Sequence, residues 1–188
     1  MKLQGFLPVA YLTFTCLLSA LPAAAAELGL HGMALAVGGG DQPDTHDRNE
    51  LYAAELAFYQ HARSPRQQIT VFVTAAKLYS SHAQNDALWA YSIVPQISFR
   101  LPATQKTNTQ LHLLLRALGP SYISHNLLGE RKQAQHFSFQ AMVGAGVRFG
   151  PAYRYELNLA WRHYSNANLL KDNDGWDFPL TVQWVLHF

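Results

Sequence analysis

The sequence predicts an all-β protein, an eight-stranded antiparallel transmembrane β-barrel, on three observations. Beyond residue 26, apolar side chains recur at every second position through most of the chain, the period of a strand with two unlike faces. No apolar run in that part reaches the ~18 residues that a membrane-spanning helix needs. Only 14% of the 188 residues are charged, against roughly a quarter in ordinary soluble domains. The remaining composition excludes other classes. A balance of 14 Lys+Arg against 12 Asp+Glu lacks the basic excess of a nucleic-acid binder. With 49% hydrophobic residues the chain is not disordered, and a single cysteine cannot staple a small secreted domain.

The first segment differs from the rest. Met1-Lys2 gives a basic start, residues 6–21 are almost wholly apolar, and Pro22 is followed by four alanines. This is the layout of an export signal, with cleavage after Ala26 and Glu27 as the new N-terminus. Cys16 lies within the apolar run and reads as part of the leader. Residues 1–26 are therefore expected to be a signal peptide and residues 27–188 the outer-membrane barrel domain.

Eight strands are expected in order. The segment 28–38 is the first, its alternation blurred by Gly and Ala, and 51–60 and 68–79 come next. Over 88–101, Trp89, Tyr91, Ile93, Ile97 and Phe99 alternate with Ala90, Ser92, Gln96, Ser98 and Arg100. The fifth is 109–118. The sixth, 137–149, alternates Phe137, Phe139, Ala141, Val143, Ala145 and Val147 with Ser138, Gln140, Met142, Gly144, Gly146 and Arg148. The seventh, 152–164, sets Tyr153, Tyr155, Leu157, Leu159 and Trp161 against Arg154, Glu156, Asn158 and Arg162. The last, 178–188, carries Phe178, Leu180, Val182, Trp184, Leu186 and Phe188 on one face.

Alternation alone does not say which face is the core: a soluble sandwich buries the apolar one, and a membrane barrel turns it to lipid. Aromatics near strand ends (Trp89, Phe137, Phe149, Tyr153, Trp161, Phe178) suit interfacial girdles, and the chain ends on an alternating strand closed by Phe188. Gln140, Arg148, Arg154, Glu156 and Arg162 are then expected to point inward. With both termini on the periplasmic side, connections near 61–67, 101–108 and 150–152 are periplasmic, and those near 39–50, 80–87, 119–135 and 165–177 face outward. Gly144 and Gly146 sit within a strand, which suggests close packing and not a phosphate cradle. Arg48, Arg131, Lys132 and Lys171 fall in the outer connections as solvated loop charges that can also meet phosphates. The eight other histidines (31, 46, 61, 82, 112, 125, 136 and 187) show no metal-ligand spacing.

The seventh strand closes on Trp161-Arg162-His163-Tyr164-Ser165-Asn166. By parity His163 and Ser165 continue the greasy face, with Cα atoms about 6.6 Å apart at the strand rise. An imidazole beside a hydroxyl is the minimal activated nucleophile, taking the proton and later returning it to the leaving group. A His-x-Ser pair on an arbitrary strand usually means nothing. Two polar residues ending a lipid-facing stripe are costly without a purpose.

The run His163-Tyr164-Ser165-Asn166-Ala167, followed by Asn173-Asp174-Gly175 and a final strand, resembles the motif of the PagL-type lipid A 3-O-deacylases. That resemblance rests on about fifteen residues. It implies an eight-stranded outer-membrane serine esterase that removes the 3-position acyl chain of lipid A. By position it places the nucleophile on Ser165, the base on His163 and the acid on Asp177. The family has Glu at the acid position; Asp is one methylene shorter, and Asp172 and Asp174 are competitors for the role. It also implies an oxyanion hole from the Asn166 side chain and the Asn168 backbone N–H. Asn173 and Gly175 shape the site. No metal and no cofactor is implied. The expected partners are lipid A, or whole lipopolysaccharide, in the outer leaflet and the outer membrane itself, with no nucleic acid; a homodimer stays open. Two rivals remain at this point: a barrel of the same family without the activity, and a soluble periplasmic β-protein that binds a lipid.

Overall fold

The computed structural model describes residues 27–43, 45–102 and 109–188; the expected signal peptide lies outside these residues. Ten strands form: β1 Glu27–Asp41, β2 Arg48–Ser64, β3 Gln67–Ser80, β4 Ala87–Arg100, β5 Thr109–Ile123, the short β6 Leu127–Leu128 and β7 Arg131–Lys132, then β8 Phe137–Phe149, β9 Tyr155–Ser165 and β10 Trp176–His187. Eight of them close a barrel in the order β1-β10-β9-β8-β5-β4-β3-β2, while β6 and β7 pair as a small hairpin. All barrel pairings are antiparallel, including β1 with β10. Closure leaves no unpaired strand edge, the condition for a sheet to lie in hydrocarbon. The soluble rival is thereby excluded: exposed Leu35, Leu56, Val73, Ile93, Leu113, Val143 and Leu159 cover the outside of this closed sheet.

The strands outrun the alternation, and the physical reason is bulging. In β5 the register slips between Arg116 and Gly119, with Leu118 at φ +55°. One extra residue reverses the parity of the rest of the strand, so Ser121 and Ile123 point inward although 119–135 reads as a loop. At the other end, Pro151–Tyr153 form a 3₁₀ turn, so β9 begins at Tyr155. Tyr153 and Arg154, expected on the girdle and in the interior, both sit exposed at this turn.

The interior is layered. Its middle is ionic: the fully buried Glu55 carboxylate meets Arg116 and Arg162, each at 2.7 Å, and accepts a hydrogen bond from Gln183 Nε2 at 2.8 Å. Towards the short turns, Glu156 takes Arg148 Nε at 2.6 Å and His187 Nε2 at 2.9 Å. Towards the long loops the filling turns apolar, with Leu51, Leu78, Leu88, Ile123, Leu128, Trp176 and Phe178 in one cluster. The expectation of a polar interior therefore holds for two layers and fails for the third. Here interior Leu78 and Leu88 alternate with exterior Tyr79 and Trp89, so the two faces differ less in polarity than they do in the middle of the barrel. Gly144 and Gly146 are small because their neighbours leave no room. A Cβ on Gly144 would overlap the Leu159 carbonyl, and one on Gly146 the Asn158 side chain.

Candidate active site

His163 and Ser165 end β9 on its outer face, two residues apart. Arg162 and Tyr164, which alternate with them, are wholly buried inside the barrel. Trp161, next on the exterior stripe, stacks on the His163 ring with centroids 5.2 Å apart and planes 24° from parallel. Ser165 pairs with Phe139 of β8.

Asp177 reaches His163 through a break in β10. Simple alternation from the C-terminus puts Phe178 on the lipid face and Asp177 inside. The register instead shifts between Phe178 and Thr181, at Pro179-Leu180, where a proline is tolerated because the ladder is already interrupted. The shift reverses the parity. Phe178 turns inward and is fully buried, which corrects its expected place in the girdle. Asp177 turns outward as the direct cross-strand partner of His163, and its Oδ1 lies 2.9 Å from His163 Nδ1. Directly opposed residues have Cβ atoms about 5 Å apart, a gap that the shorter carboxylate spans. The two competing acids are engaged elsewhere: Asp172 pairs with Lys132 Nζ at 3.0 Å, and Asp174 Oδ2 accepts the Lys132 backbone N–H at 2.8 Å.

With Nδ1 donating to Asp177, Nε2 is left as the acceptor. It faces away from Asp177 over Gly175, where an added Cβ would lie 2.7 Å from Cε1 and 3.3 Å from Nε2. Gly175 also holds φ +61°, so both the close approach and the backbone require glycine. Among the described residues Ser165 Oγ makes no hydrogen bond with the ring; the two side chains are neighbours on one face. Such contacts commonly tighten only when substrate is bound.

The loop after Ser165 is tightly tied. The Asn166 N–H is shared between Asn173 Oδ1 at 2.7 Å and Gln133 Oε1 at 3.1 Å. The Asn166 side chain is buried and donates through Nδ2 to the Asp172 carbonyl at 3.2 Å. Ala167 and Asn168 are both left-handed, at φ +54° and +59°. Asn168 is exposed, and its Oδ1 accepts from Asn173 Nδ2 at 3.0 Å. Asn173 thus grips both ends of this turn.

Three residues that support the site were not singled out as such in the sequence. Buried Gln42, from the first outer loop, clasps the Asp177 backbone from both sides: its Nε2 donates to the carbonyl at 2.5 Å and its Oε1 accepts the N–H at 3.0 Å. Gln133 reaches Asn166 from the third loop. Arg131, read as a solvated charge, instead staples loops by donating to the carbonyls of Pro43, Asp174 and Gly175. A lone Gln in a loop 135 residues from its partner carries no sequence signal. Among the described residues no cluster of three or more His, Cys, Asp or Glu is placed to hold a metal ion.

Comparison with known proteins gives a family. No curated protein sequence matches. Among solved structures, the outer membrane enzyme PagL is similar at 17% identity with a TM-score of 0.59, covering 82% of this chain and 98% of that one. Neisserial surface protein A (NspA) is similar at 16% identity with the same TM-score, covering 88% of this chain and 100% of that one. At these identities both likenesses show the barrel fold alone. The family model for lipid A 3-O-deacylase (PagL) matches residues 31–181, a span that reaches into all eight barrel strands and takes in His163, Ser165 and Asp177. The chain belongs to the PagL family of lipid A deacylases, β-barrel proteins of the bacterial outer membrane.

Proposed function

We propose that this chain is a serine esterase that hydrolyses the 3-position acyl ester of lipid A in the outer leaflet, after export by its N-terminal signal. The observation that carries the reading is the His163–Asp177 contact at 2.9 Å on the lipid-facing wall, with Ser165 beside it on the same face. A barrel without the activity has no use for a bulge that turns a carboxylate towards lipid. In the reaction Ser165 Oγ attacks the ester carbonyl while His163 Nε2 takes its proton. Asp177 holds the ring through Nδ1 and stabilises the imidazolium. The Asn168 backbone N–H holds the oxyanion, joined by the second Nδ2 hydrogen of Asn166. Of the two, Asn168 is the donor already at the surface. Collapse of the tetrahedral intermediate releases the sugar 3-oxygen, which takes the proton from His163. Water then repeats the cycle to free the fatty acid. The substrate never leaves the bilayer.

The test is expression in a host with ordinary lipid A, followed by lipid A mass spectrometry. Loss of one hydroxyacyl chain is expected; unchanged masses alongside folded barrel, seen by heat-modifiable gel migration, overturn the reading. The acid has its own test. Asp177→Asn keeps the shape but loses the charge that supports the imidazolium, and the rate should fall by ~10² to 10⁴, the upper figure being the scale for this change in a serine triad. Asp177→Glu, the residue usual in the family, should retain more activity than Asn. An Asn variant with full activity would remove Asp177 from the mechanism.

A further inference from the structure

The far wall of the barrel carries a cationic recess that the hydrolytic chemistry does not use. In the ring of eight strands β3 stands four places from β9 in either direction. Near its long-loop end the exterior of β2 and β3 encloses a recess of about 540 Å³ lined by Arg48, Glu50, Tyr52, Lys77, Tyr79 and Ser81, among others. Lys77 is the unusual member. It lies on the lipid-facing stripe, directly between Tyr52 of β2 and Trp89 of β4, three residues below the end of β3. Its ammonium sits 5.1 Å from the Trp89 ring centre and 5.7 Å from that of Tyr79. Cation–π contact of this kind steadies a lysine without neutralising it. No carboxylate lies within ion-pair distance of Lys77 among the described residues. Glu50 is the nearest acid by register, the cross-strand partner of Tyr79, and one of its oxygens is taken by the Tyr52 hydroxyl at 3.2 Å. Arg48 adds a second cation at the rim. The Ser81 hydroxyl accepts the Arg48 N–H at 2.9 Å, which leaves its own hydrogen to donate.

A cation on the lipid face of a barrel costs little at the interface and more with depth. Tyr52, Tyr79 and Trp89 mark this level as the interface, where lipid headgroups lie. What complements a cage of aromatics with two cations, one carboxylate and a free hydroxyl there, a net positive site, is a phosphate monoester. In the outer leaflet of this membrane the lipid that presents one is lipid A. We propose that the Lys77–Arg48 recess is a second, non-catalytic lipid A site that grips a glucosamine phosphate on the wall opposite His163. This rests on the reading that the long-loop end meets the outer leaflet, and it requires no hydrolysis.

The test uses the full chain in detergent micelles with Ser165→Ala in every sample, so that lipid stays intact, and counts bound lipid by native mass spectrometry during titration. The parent should hold two molecules of bisphosphorylated lipid A. Lys77→Gln should weaken one of the two by about fivefold and Lys77→Gln with Arg48→Gln by about 30-fold, the scale of one and two cations at a lipid surface. Lys77→Arg should restore the single variant, and heat-modifiable migration checks the fold of each. Superimposable titrations of parent and double variant overturn the proposal. So does equal retention of dephosphorylated lipid A, which would assign binding to the aromatics, or of phosphatidylglycerol, which would make the recess a general anion contact. Failure of the deacylase reading appears elsewhere, as unchanged lipid A masses in the expression host, and does not alter these counts.

Discussion

Replacing Ser165 with Ala should leave a folded barrel that releases no acyl chain. The expected loss is ~10⁶-fold, the scale for removing the nucleophile or the base of a serine hydrolase, and the lipid A mass spectrum of the host should return to that of cells without the protein. The structure gives reasons to expect the fold to survive. Ser165 is the last residue of β9, its hydroxyl holds no other group among the described residues, and its backbone pairing with Phe139 needs no side chain. His163→Ala should lose as much. The double variant should be no worse than either single one, because groups that act as a unit are not additive. A Ser165→Ala protein that still trims lipid A would remove the serine mechanism while leaving the family assignment intact. Double-variant losses that multiply would instead mean that the two residues act separately.

The parts of this molecule that were legible in its sequence are those where two faces differ. Alternation located all eight barrel strands because lipid on one side and a filled interior on the other force opposite residue types. It failed where the period slips. The bulge at Arg116–Gly119 hides the last residues of β5 in an apparent loop. It leaves no composition signal, since a bulge is one residue too many and is visible only against its partner strand.

The candidate site was legible to the same degree. His163 and Ser165 share a strand, so spacing alone put them on one face. Asp177 follows only from the family resemblance, by its place after the Asn173-x-Gly175 run, while strict parity sends it indoors. It is the Pro179-Leu180 irregularity that reconciles the two, and Gly40 permits it: this residue holds φ +146° and a Cβ there would overlap the Pro179 ring. Gln42, Gln133 and Arg131 act from loops that are distant in sequence, through contacts that no local pattern encodes.

The largest stability effect is expected away from the candidate catalytic groups, at Glu55. Its carboxylate is the only acid in contact with Arg116 and Arg162 among the described residues, and all three side chains are completely buried. Arg116 is otherwise held by Gln96 Oε1 at 2.9 Å and the face of Phe72, 4.5 Å from its guanidinium, contacts that do not cancel charge. Glu55→Gln leaves two like charges facing each other in a fully buried layer. Breaking a buried ion pair in this way costs about 3–5 kcal/mol, which should appear as a lower urea midpoint for unfolding from lipid vesicles. The layer also adjoins the candidate site, because Arg162, tethered to Glu55 across the barrel, lies between Trp161 and His163 on β9. A second variant separates charge from packing. Glu55→Leu together with Arg116→Leu and Arg162→Met removes every charge, and it should recover most of the lost stability, as neutral replacements of buried ionic triads do. If Glu55→Gln unfolds at the parent midpoint, the ionic layer is filling and not framework.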